Sequence, residues 1–79
     1  MTADPSLVLG ENLASLLNTD AKRQRFAELY EMLVGELGPE NARAWFINID
    51  PVLMDAPLMA LAAGRFLSVE RAAQLRIGL

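Results

Sequence analysis

The chain of 79 residues contains neither cysteine nor histidine. Without cysteine there is no disulfide and no thiolate ligand. Without histidine the commonest general base and the usual completion of a structural zinc site are missing too. Aromatic residues are few, and a single Trp, Trp45, is the natural centre of packing. Net charge is low, with ten acidic residues against seven basic ones. Proteins that bind DNA alone need a basic face, because phosphate contacts dominate affinity. The one local basic cluster, Lys22, Arg23 and Arg25, opens an amphipathic helix and reads as a solvated helix start. No apolar run approaches the roughly 18 residues of a membrane span. The N-terminus lacks the basic start of a secretory signal, so a cytoplasmic protein without membrane contact is expected.

What the chain does have is apolar side chains, 53% of the total, mostly Leu and Ala with few β-branched residues. That composition favours helix over sheet. The length supports one domain, and a domain this small buries only about 60% of its unfolded surface.

Helix signals recur along the chain. Asp4 and Pro5 form a cap-then-proline start, and Leu9, Leu13, Leu16 and Leu17 fall on one face. Gly10 disfavours helix by up to about 1 kcal/mol relative to Ala, so this segment is expected to fray or begin later. Residues 1–18 are therefore set apart as an N-terminal segment from a helical domain over 19–79. Thr19 and Asp20 are candidate caps for the next helix, whose inward positions are Phe26, Leu29, Tyr30, Leu33, Val34 and Leu37. Gly38 and Pro39 end it and open a third, with Ala42, Trp45, Phe46 and Ile49 as the apolar face. Asp50–Pro51 repeats the cap-then-proline device, leading into a turn or short helical piece. Asp55 and Pro57 then start a fourth helix closed by Gly64. Ser68 is a candidate cap for the last helix, with Val69, Ala72, Ala73 and Leu75 facing inward. The expectation is an all-α, single-domain bundle of about five short helices.

Catalytic chemistry finds little footing. The carboxylate pair Asp50 and Asp55 has an ordinary explanation in helix capping, and Ser6, Ser15 and Ser68 have no neighbouring base. No glycine loop follows a strand to cradle phosphate. The sequence reads as that of a protein without enzymatic activity, cofactor or metal. The junction at Gly38 could join a helix-turn-helix, but the second helix offers only Glu40, Asn41 and Arg43 to a major groove. DNA binding by this chain alone is not expected. Leu58 to Ala63, by contrast, carries no polar side chain, and four short helices can hardly enclose it. Part of this run, around Met59, is expected to remain exposed as a protein contact.

The ordered pattern from Glu40 to Ala73, "ENARAWFINIDPVLMDAPLMALAAGRFLSVERAA", resembles the toxin-binding domain of Xre/MbcA/ParS-type antitoxins. Ala42 and Trp45 match the family's first helix, Asp50–Pro51 and Leu53 its turn, Pro57 and Leu61 the next helix, then Gly64 and Val69. The family's turn usually carries glycine between the Leu and the second Pro. Here it reads "MDA" and is one residue shorter, so a different loop geometry is expected. Residues 1–20 are too short for the Xre-type helix-turn-helix of full-length relatives. The resemblance implies a cognate partner, a RES-domain toxin that consumes NAD⁺, whose active-site entrance the antitoxin occludes. The contact face expected on this basis is the 50–65 segment with the C-terminal "RAAQLRIGL". Asp50, Leu53, Met54, Asp55, Leu58 and Met59 are the candidates on the first part, and Arg65, Arg71 and Arg76 would meet acids around the toxin cleft. The competing expectation is a homo-oligomerising regulatory module, for example phage-encoded, that pairs through its Leu-rich face at 7–17.

Overall fold

The computed structural model describes residues 9–78, and among them it contains helices and no strand. The helices are α1 (Glu11–Ala14), α2 (Asp20–Leu37), α3 (Pro39–Ile47), α4 (Pro57–Ala62) and α5 (Phe66–Arg76). The architecture is all-α. The expected helix start at Asp4–Pro5 lies outside the described residues.

α2 is the spine against which α3, α4 and α5 pack. Its three-and-four spacing buries Phe26, Leu29 and Leu33, while Tyr30, Val34 and Leu37 pack at the edge of the core. Thr19 caps it, accepting a hydrogen bond from the Lys22 N–H at 3.2 Å. Gly38 then serves two helices, closing α2 and preceding Pro39 at the start of α3, with φ +88°. Phe26 meets Phe46 of α3 at 4.7 Å between ring centroids, and Trp45 meets Phe46 edge-on at 5.0 Å. Arg25 ties α2 to α5 through Glu70 at 3.0 Å and lies over the Phe66 ring.

The N-terminal leucines are committed to this same core. Leu9 and Leu17 are buried in it, and Leu13 and Leu16 pack against it. Self-association through that face would require Leu9 and Leu17 to leave the chain's own interior. Helix α1 begins only after Gly10, which has φ +85°.

Three boundary expectations are corrected. Ile49 does not extend the apolar face of α3, because the helix stops at Ile47 and Ile49 is exposed. Ser68 does not cap α5. The chain leaves α4 through a Schellman turn, in which Gly64 N–H donates to Leu61 O and Arg65 N–H to Ala60 O, each at 2.9 Å. That turn delivers the backbone into α5 at Phe66, two residues before the serine. Leu75 lies on the outer side of α5 and is half exposed, whereas Val69, Ala72 and Ala73 face inward as expected.

The apolar run in α4 is enclosed more fully than its length suggested. Pro57, Leu58, Ala60 and Leu61 are buried, and α2, α3 and α5 all contact this helix. Met59 and Ala63 remain exposed.

Candidate protein-binding site

The link from α3 to α4 is built around one residue. Asp50 is 8% exposed, and its carboxylate accepts from Trp45 Nε1 at 2.9 Å and from the Val52 N–H at 2.8 Å. Its carbonyl accepts from the N–H groups of Leu53 and Met54, and its own N–H donates to Asp55 O at 3.0 Å. The side-chain bond to Val52 is the geometry of a helix N-cap, with Pro51 in the first-turn position. The turn is not continued as helix, since the chain folds back so that Asp50 and Asp55 pair as an isolated antiparallel bridge. Backbone, carboxylate and indole thereby fix the 50–55 loop to α3.

Rigidity matters because of what the loop displays. Leu53 points into the core, while Ile49, Val52 and Met54 are 75%, 54% and 83% exposed. Met54 is also the one non-glycine among the described residues with positive φ, at 58°. An L-residue in this conformation carries about 1–2 kcal/mol of strain. The side chain is almost fully in solvent, so its burial cannot offset that cost. The hydrogen bonds converging on Asp50 hold it there. The loop expected to differ for want of glycine thus adopts a glycine-like conformation at Met54.

Basic side chains flank the loop on both sides. Val52, Leu53, Arg65, Ser68, Arg71 and Leu75 line an open groove of about 320 Å³ between the loop and α5. On the other side Arg76 approaches Asn48, Ile49 and Pro51 around a second depression of similar volume. Arg23 and Arg25 are paired with Asp20 and Glu70. Arg65, Arg71 and Arg76 have no side-chain ion pair or hydrogen bond among the described residues. Three guanidinium groups without a side-chain partner thus stand around a loop that carries exposed apolar side chains.

No protein-family model, curated protein or solved structure matches the chain.

The residues expected at the contact face therefore divide into groups. Met54, Arg65, Arg71 and Arg76 lie on the surface around the loop and α5. Leu53 and Leu58 are core residues at 4% and 2% exposure and offer a partner almost no surface. Asp50 is likewise buried and acts as the loop's anchor. Asp55 turns its carboxylate onto the Ala56 N–H at 2.8 Å, so it neither caps α4 nor reaches outward as a free acid. Met59 is exposed on α4 but lines neither depression. Among the described residues no group of three or more His, Cys, Asp or Glu side chains could hold a metal, and no helix is long and apolar enough to cross a membrane.

Sequence reasoning missed Val52, Ile49 and Leu75 as surface residues. Period alone assigned Ile49 and Leu75 inward.

Proposed function

We propose that this chain is a protein-binding module of the antitoxin type, whose 49–54 loop and α5 occlude the active-site entrance of a RES-domain toxin. The observation that carries the reading is the loop itself. It is a rigid, strained turn that presents three exposed apolar side chains between unpartnered arginines. Such a surface has the composition of an interface centre with a polar rim, and needs no catalytic group. Backbone strain kept at an exposed position is a recurring mark of functional sites. Met54 in a positive-φ conformation also stands in the part of the turn where the antitoxin pattern carries glycine, which adds support to the resemblance.

The test is coexpression with a RES-type reading frame adjacent to this one. Relief of growth arrest and a complex that co-purifies are expected. Met54→Asp should abolish the complex without unfolding the chain, since the position is exposed and Asp tolerates positive φ. Persistent arrest with no complex would remove the proposal.

A further inference from the structure

We infer that the groove between the 50–55 loop and α5 receives a segment of a partner protein that carries a carboxylate flanked by apolar side chains. This refines the partner chemistry of the face just described and rests on that face meeting a protein. Arg65, at the N-cap of α5, and Ser68 and Arg71, one turn apart within it, all line the groove. Val52 and Leu75 supply exposed apolar surface to that groove, and buried Leu53 forms part of its lining. Arginine presents a planar fork suited to a carboxylate, and two such forks in one groove that lack internal partners leave that capacity unused. The apolar lining distinguishes this site from one for a free small anion. Phosphate gains nothing from Val52 and Leu75, whereas the neighbours of an Asp or Glu in a peptide do.

The experiment is NMR titration of the ¹⁵N-labelled full chain with the capped peptide acetyl-Leu-Glu-Phe-amide, its Gln counterpart and pyrophosphate. The Glu peptide is expected to shift amides at Val52, Ser68, Arg71 and Leu75. The Gln peptide should bind about tenfold more weakly, the size expected for losing a charge-assisted hydrogen bond. The double variant R65Q/R71Q, with unchanged circular dichroism, should erase that difference. Equal binding of the two peptides, shifts away from the groove, no shifts at millimolar peptide, or pyrophosphate acting where the peptide does not would each overturn the inference. Binding of the Glu peptide by a chain that forms no complex with a RES protein would leave this groove assignment standing and remove the toxin reading. A toxin complex indifferent to R65Q/R71Q, with no peptide binding, would do the reverse.

Discussion

Removing the Asp50 carboxylate is the sharpest test of how the loop is held. In Asp50→Ala the Trp45 Nε1–H, now bonded at 2.9 Å in a buried position, loses a charged acceptor, and the Val52 N–H loses its partner at 2.8 Å. A hydrogen bond to a charged group contributes about 1.5–3 kcal/mol in a buried position and about 1 kcal/mol where it is partly exposed, so the expected loss is about 2.5–4 kcal/mol. A chain of this length has a total stability of roughly 4–12 kcal/mol, which makes that a large fraction. Asp50→Asn should lose about half as much, because its single carbonyl oxygen serves one donor while the amide NH₂ faces the other. Trp45→Phe removes the indole donor, and the double variant Trp45→Phe/Asp50→Ala closes a thermodynamic cycle. Urea unfolding followed by far-UV circular dichroism, which does not depend on Trp fluorescence, gives all four stabilities. A coupling of about 1.5–2 kcal/mol is expected for residues sharing one buried bond. Coupling below about 0.5 kcal/mol would refute the view that the indole and carboxylate fix the loop together.

Met54→Gly relieves the positive-φ strain and should raise stability by up to about 1 kcal/mol after the entropic cost of glycine, while Met54→Val should lower it by about 1–2 kcal/mol; urea midpoints distinguish the two. Leu58→Asp places a carboxylate in the core and should unfold the chain at room temperature, whereas Met59→Asp one residue on should leave its circular dichroism and melting temperature nearly unchanged. Thr19→Ala removes the α2 cap and should cost about 1 kcal/mol, seen in the same denaturation assay. Arg25→Ala should cost no more than about 1 kcal/mol, because its pair with Glu70 is partly solvated, and the loss should shrink at high salt.

The helical class and most of the core were legible in the order of residues alone. In α2, three-and-four periodicity selects Phe26, Leu29 and Leu33 because a helix has one continuous apolar stripe to bury. The stop at Gly38–Pro39 was legible for a similar reason. Glycine's free φ and proline's missing N–H are properties of those residues wherever they occur. Local chemistry also marked Asp50–Pro51 as a capped turn. It could not reveal that the same carboxylate would receive the Trp45 indole, because that bond depends on how the chain folds back after α3. Nor could it place Ile49 and Leu75 outside, since their exposure depends on where α3 ends and which side of α5 meets α2. Ser68 was passed over as a cap because the hydrogen bonds of the turn at Gly64 start α5 earlier. The gathering of Arg65, Arg71 and Arg76 around one loop is likewise a tertiary result. Only the packing of the Asp50-anchored loop beside α5 brings Arg65 and Arg71 to one groove.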